Sequence, residues 1–286
     1  MRLNPFDTSK INVGTTGGGG GVRRGGSIGC GGIVVVLIGA LVFGVDPGQM
    51  IGAMEGAQGG GGQQVSASED EQAICSSNAY ASESCAALTS LNETWAVRFQ
   101  QEGMGERFRQ PRLEFATAQR FNTGCGEGNV GMGPFYCPAD ETMYIDVGFY
   151  DQLAQMSGER GDFARVYVVA HEYAHHVQTI TGVSDSIRSA QSQNPRRSNQ
   201  LQVLMELHAD CYAGVWAGLN RNLIEPGDLQ EGMNAASAIG DDRLSGGRLS
   251  QESFTHGSSQ QRMAALRLGL DSGSSDRCDN EILNIR

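Results

Sequence analysis

The sequence predicts an α+β fold, mostly α, with a small antiparallel sheet and one transmembrane helix ahead of it. Three observations carry that prediction. Apolar residues recur at helical spacing through much of the second half of the chain, two short segments alternate as strands do, and eighteen consecutive residues near the start carry no charge. The 286 residues suffice for one good-sized domain with appendages. A net charge of −11 argues against a nucleic-acid partner, which needs a basic face; its ordinary meaning is a solvated acidic surface.

Residues 1–27 are polar and glycine-rich, with an unbroken run from Gly17 to Gly21, and are expected to form a disordered cytoplasmic tail. Residues 28–45, from Ile28 to Val45, are uncharged and just long enough for a single transmembrane signal anchor. Arg23 and Arg24 precede the run and Asp46 follows it, so the positive-inside rule keeps the N-terminus cytoplasmic. The remainder is then periplasmic or extracellular. A cleaved signal peptide would want a shorter tail, and a lipoprotein cysteine would follow the apolar run, whereas Cys30 lies at its start. Residues 46–72 are again Gly, Gln and Ser with acidic residues, a flexible linker. The folded domain is expected to span residues 73–286.

Within it, Leu88, Leu91, Trp95 and Phe99 fall at helical spacing and read as core. Leu113 to Phe115 and Thr142 to Val147 read as strands, separated by a loop holding Gly124, Gly126, Gly128, Gly131 and Gly133. No phosphate-binding spacing fits that loop and no Lys follows it, which favours a hairpin loop pinned by its flanking cysteines. A helix opens at Asp162 as N-cap and stops at Gly182. After a polar link at Asn194 to Arg197, further helices are expected over Ser198 to Leu219, Pro226 to Asp241 and Ser258 to Leu270.

Of seven cysteines none forms a C-x-x-C pair, so a cysteine zinc ribbon is not supported. Cys75, Cys85, Cys125, Cys137, Cys211 and Cys278 fall in the domain, an even number that suits disulfides in an oxidising compartment. Fifteen pairings are open to six cysteines. Closeness along the chain favours Cys75 with Cys85 and Cys125 with Cys137, leaving Cys211 for Cys278; free buried thiols are the alternative.

The chemistry concentrates in His171-Glu172-Tyr173-Ala174-His175. A step of four residues returns to nearly the same helix face, so His171 and His175 can hold one zinc ion, with Glu172 beside them as general base. Two histidines could equally decorate a helix, but the apolar run before them marks a buried one. A third ligand is needed. A histidine six residues beyond His175 is excluded because Thr181 stands there, which turns attention to Glu206 on the later helix. Asp210, four residues on, shares its face and can accept the free ring N–H of His171 or His175. His208 and His176 face away and read as packing residues. His256, just before the last helix, and Arg262 on it are candidate donors toward negative charge on a carbonyl oxygen.

With these pieces the chain resembles the bacterial family called putative neutral zinc metallopeptidases. The likeness rests on GCGEGNVGMGPFYCPADETMYID from Gly124, HEYAHHVQ from His171, ELHADCYAG from Glu206 and SFTHGSSQQR from Ser253, together with the glycine-rich tail and single anchor. It implies an anchored zincin-like metallopeptidase domain and peptide-bond hydrolysis. A looser likeness to the CAAX prenyl endopeptidases covers Glu206, Asp210, His256 and Arg262. Gly257 replaces a proline of that pattern, and further spanning helices are absent from the sequence, so a prenylated substrate is unsupported.

The expectation is therefore a membrane-anchored zinc metallopeptidase acting on a peptide or protein, with one zinc per chain held by His171, His175 and Glu206. The segment Tyr144 to Val147 could pair with an extended substrate by strand addition. Two other classes compete: a zinc-stabilised scaffold without turnover, and a zinc hydrolase of a non-peptide amide. Neither substrate identity nor oligomeric state can be read from the sequence.

Overall fold

A computed structural model describes residues 1–16 and 67–283. The expected anchor at 28–45, the tail from 17 to 27 and the linker up to residue 66 lie outside the described residues. Among the described residues no helix is long and apolar enough to cross a membrane.

Helices dominate. They are α1 (Ala67–Cys75), α2 (Ala79–Gln101), α3 (Gly148–Ser157), α4 (Asp162–Thr181), α5 (Val183–Gln193), α6 (Ser198–Leu219), α7 (Asp228–Ala238), α8 (Asp241–Leu244), α9 (Ser259–Ser272) and α10 (Ser275–Ile282). The strands are β1 (Val13–Thr15), β2 (Arg112–Phe115), β3 (Arg120–Thr123), β4 (Gly126–Asn129), β5 (Phe135–Cys137) and β6 (Thr142–Ile145). α4 is the centre of the core, packed against α2, α6 and α7, with Val166, Tyr167, Val169, Ala170, Tyr173 and Val177 all buried. It starts one residue earlier than the sequence suggested, with Gly161 rather than Asp162 as N-cap, and stops at Gly182, where φ is +88°. That left-handed geometry costs a glycine nothing.

α9 packs closely on α6, and glycine is the reason. A Cβ on Gly269 would run into the carbonyl of Cys211, and one on Gly214 into the carbonyl of Leu266. The two backbones therefore touch along the second half of each helix, and Arg262, nearer the start of α9, reaches Asp210 near the middle of α6. A capping box at Ser258 and Gln261 fixes where α9 begins.

Four strands form a sheet in the order β1-β2-β6-β5, and β3 and β4 form a separate hairpin. The expected antiparallel sheet is corrected: β1, β2 and β6 run parallel, and only β5 and the hairpin pair antiparallel. Alternation of apolar residues marks a strand but carries no information on direction. Direction is set by the chain between β2 and β6, which turns back through the hairpin and β5 before entering β6. All three disulfides are formed: Cys75–Cys85, Cys125–Cys137 and Cys211–Cys278. The second ties the tip of the β3–β4 hairpin to the end of β5.

Residues 1–16 depart from the expected disordered tail. Ile11 and Val13 are buried in the main core, β1 pairs with β2, and Asn92 donates to the carbonyl of Lys10 at 2.7 Å. The Met1 ammonium lies among Asp162 (2.9 Å), Glu225 (3.2 Å) and Asp228 (3.2 Å). Burial works against its charge, but the three carboxylates outweigh it and raise its pKa to about 10. The glycine run from Gly17 hid this segment, whose only glycine is Gly14; a few apolar residues suffice once a sheet edge supplies the hydrogen bonds. A single membrane crossing between residues 16 and 67 would place β1 and β2 on opposite sides of a bilayer. Docked β1 and the single-pass arrangement therefore exclude one another in one molecule.

His176 fastens β5 and its approach to α4. Its ring is fully buried, with Tyr136 Oη at 3.1 Å from Nδ1 and the carbonyl of Arg109 accepting from Nε2 at 2.7 Å. Burial lowers its pKa to about 4, against a small opposing effect of that carbonyl. The unfolded chain, with a pKa near 6.5, binds this proton first, so stability is complete above about pH 6.5 and falls as the pH drops towards 4. The shift corresponds to about 3 kcal/mol. Denaturant titrations of chelator-treated protein should show that slope reduced in His176→Gln, and an equal slope in the variant would remove His176 as its source.

Candidate metal centre and active site

Helix geometry and one helix crossing build the centre. On α4, His171 and His175 stand one turn apart with ring centroids 4.8 Å from each other. α6 lays Glu206 across them, so that its Oε2 lies 3.2 Å from His171 Nε2 and 3.5 Å from His175 Nε2. One ligand atom from each residue lies within 4.8 Å of the other two. The donor set is two imidazole nitrogens and one carboxylate, the His₂Glu combination of catalytic zinc sites, and so fits that metal.

Each group is held from behind. His171 Nδ1 donates to Asp210 Oδ1 at 2.9 Å, and His175 Nδ1 donates to Gln178 Oε1 at 2.8 Å. Both rings therefore keep their protons on Nδ1 and turn Nε2 lone pairs inward. Gln202 donates to the second oxygen of Glu206 at 2.9 Å. Burial would raise the pKa of Glu206, but His175 and His171 outweigh it and hold the carboxyl well below its ordinary range.

Asp210 is fully buried and saturated. Arg262 grips it with two nitrogens at 2.8 Å each, and Tyr167 donates to it at 2.6 Å. Burial pushes the Asp210 carboxyl up, yet Arg262 and His171 bring it down to about 2. The remaining guanidinium contacts go to Tyr167 Oη at 3.2 Å, the carbonyl of Ile239 at 3.3 Å and His171 Nδ1 at 3.4 Å. Arg262 thus spends its hydrogen bonds behind His171, while its side chain also lines the cavity that His171 and Glu172 meet. Beside the donor role expected from the sequence, the structure gives Arg262 the task of holding Asp210, because the close α6–α9 crossing places the two side chains together.

His256 is the opposite case. Its ring is held by Asp241, whose carboxylate accepts from His256 Nδ1 at 3.1 Å and from the amides of Thr255, His256 and Gly257 at 2.7, 2.7 and 3.1 Å. Nε2 is buried without a hydrogen-bond partner. The ring lines a cavity of about 140 Å³ that also meets His171, Glu172, His175 and Glu206. Gly257 has φ of +88°, which a proline ring cannot adopt, so the departure from the prenyl endopeptidase pattern is a difference of backbone.

Glu172 opens on the same cavity. Burial raises its pKa, while the two neighbouring histidines pull the other way less strongly. Much of the remaining wall is apolar: Phe135 and Pro134 lie on one side, and Phe149, Val168 and Leu244 contribute elsewhere. Arg188 of α5 also reaches it.

Sequence reasoning missed Asp241, Gln178 and Tyr167 as site residues. Tyr167 had a signal, since it precedes His171 by one helical turn. Gln178 lies within the quoted HEYAHHVQ, where it registered only as the absence of a glycine. Asp241 had none, because its partners are fifteen residues away across a loop. His208, read as a packing residue, turns out to be hydrogen-bonded to Gln178 at 3.1 Å.

Comparison with known proteins adds the following. A family model described as putative neutral zinc metallopeptidase matches residues 6–281. The uncharacterized protein YpfJ of Escherichia coli (strain K12) is 41% identical over 290 residues, spanning 96% of this chain and 94% of its own length. The uncharacterized protein Rv2575 of Mycobacterium tuberculosis (strain ATCC 25618 / H37Rv) is 39% identical over 188 residues, covering 60% of this chain and 62% of its own. No solved structure matches the chain.

Proposed function

The chain belongs to the putative neutral zinc metallopeptidase family, and from that premise we propose that it hydrolyses peptide bonds with one zinc ion held by His171, His175 and Glu206. One observation carries the reading: a His₂Glu donor set, a buried carboxylate at Glu172 and the bare Nε2 of His256 all meet one cavity. A zinc ion held there would supply Lewis acidity towards water and a substrate carbonyl.

The chain's own groups do the rest. Glu172 takes a proton from water entering the cavity and returns it to the leaving amine. A carboxylate whose pKa is raised by burial is a stronger base than one in water. His256, with Nδ1 donating to Asp241, presents Nε2 to the cavity; carrying a proton on both nitrogens, with Asp241 offsetting the charge, it would donate from Nε2 to negative charge on the carbonyl oxygen. Asp210, Arg262 and Tyr167 keep His171 in place.

The substrate strand is reassigned. β6, which contains Tyr144, is paired on both sides, whereas β5 is the edge of its sheet and supplies Phe135 and Tyr136 to the cavity wall. An extended peptide adding to β5 would lie along the site with apolar side chains against Phe135. A zinc-stabilised scaffold has no use for a buried base beside an open cavity, so Glu172 favours turnover. The three disulfides support work in an oxidising compartment outside the cytoplasm. Anchoring through residues 28–45 belongs to this proposal and applies to a chain in which β1 is undocked.

The test is digestion of a mixed peptide library by zinc-loaded full-length protein. Cleavage abolished by a chelator and restored by zinc is expected; an intact library beside hydrolysis of a non-peptide amide would move the activity to that class. In the same assay His256→Ala should retain zinc and lose about 10²–10³-fold in kcat. Loss of the metal instead would make His256 a ligand.

A further inference from the structure

His171 is backed by a carboxylate, but His175 is backed by an amide, and an amide can be turned either way round. We propose that Gln178, His208 and Asp279 form a positioning relay that fixes the tautomer of His175 from the far side of α6. The proposal rests on the donor set described above.

The hydrogen bonds run in one direction. Asp279 Oδ1 lies 2.8 Å from His208 Nε2 and accepts its proton, and it also accepts from Tyr212 Oη at 2.8 Å. With the proton on Nε2, His208 Nδ1 is an acceptor, and Gln178 Nε2 donates to it at 3.1 Å. The same amide nitrogen donates to the carbonyl of Met205 at 2.7 Å. Gln178 Oε1 is thereby left facing His175, whose Nδ1 donates to it at 2.8 Å. Gln178 and His208 are fully buried, so water cannot substitute for a lost partner.

Each link excludes its alternative. Were Gln178 turned over, its oxygen would face the carbonyl of Met205 and its nitrogen would face a donor on His175. The second clash is relieved only by moving the His175 proton to Nε2, the nitrogen that belongs to the donor set, and the first is not relieved at all. Were His208 in its other tautomer, its Nδ1–H would point at the Gln178 amide protons and Asp279 would lose a donor. A surface carboxylate, acting through two buried side chains and together with the Met205 carbonyl, thus selects one proton arrangement. The Cys211–Cys278 disulfide contributes by tethering α10, which carries Asp279, to α6, which carries His208 and Glu206.

The experiment reads metal affinity and ring protonation, not turnover. Zinc affinity is measured by chelator competition for wild type, Gln178→Met, Asp279→Ala and Asp279→Glu. The His208 tautomer is read from imidazole nitrogen shifts, and thermal midpoints are taken on chelator-treated protein. Gln178→Met should weaken zinc by about 10–100-fold, as loss of a group backing a ligand does. Asp279→Ala should weaken it in the same direction and release His208 to a mixture of tautomers. Asp279→Glu should restore both readings. Because Asp279 is half exposed, its removal tests the relay without emptying the core. Unchanged zinc affinity in Gln178→Met and Asp279→Ala would overturn the relay while leaving the donor set standing. A drop in thermal midpoint with zinc affinity intact would also overturn it, by reducing these residues to packing. A wild-type protein that binds no zinc would remove the donor set and the relay together.

Discussion

Glu172→Gln is expected to keep its zinc and lose about 10²–10⁴-fold in turnover, the usual worth of a general base. The substitution preserves length, shape and packing on α4 and removes only the ability to accept a proton. Glu172 is not among the atoms that converge on the metal position, so metal content measured on the purified variant should stay at about one zinc per chain, whereas His171→Ala or Glu206→Ala should lose it. The physical basis is position: one residue from His171, Glu172 turns onto the cavity while both imidazoles turn onto Glu206. A Glu172→Gln enzyme with full activity on peptides would mean that another group takes the proton, and no other free carboxylate lines this cavity among the described residues.

Arg262→Met should destabilise the protein by about 3–5 kcal/mol, the cost of leaving one partner of a buried ion pair alone. Asp210 is fully buried and Arg262 only 2% exposed, so water cannot take the place of the guanidinium. Denaturant unfolding of chelator-treated protein measures this without a contribution from metal. Asp210→Asn combined with Arg262→Met should recover part of the loss, because the uncompensated charge is gone; additive losses in the double variant would show that the pair is not coupled. Zinc affinity should fall in both single variants, since Asp210 sets the orientation of His171. A stable Arg262→Met protein with slow hydrolysis would instead favour the substrate-facing role that the sequence suggested.

Local rules determined a good deal of this molecule. Helical spacing placed the His171 and His175 rings side by side and put Glu206 and Asp210 on one face of α6, which runs from Ser198 to Leu219 as the apolar pattern required. Gly182 stopped α4 and Ser258 capped α9 because those signals act within a few residues of where they are written. Disulfide pairing followed closeness along the chain for two pairs and the remainder for the third. Helices α1, α3, α5 and α10 were not legible: α1 begins at Ala67, inside the stretch expected to be linker, and the others are short or bounded by ambiguous loops. What tertiary structure alone decided are the partners. The two bonds from Arg262 to Asp210, the cradle of Asp241 around His256, the path from Asp279 to His175, and the docking of β1 on β2 each join residues ten to a hundred positions apart or more. No periodicity encodes such a meeting. It depends on which backbones can approach, as α6 and α9 do through Gly214 and Gly269, and on buried polar groups finding partners wherever the packed chain happens to supply them.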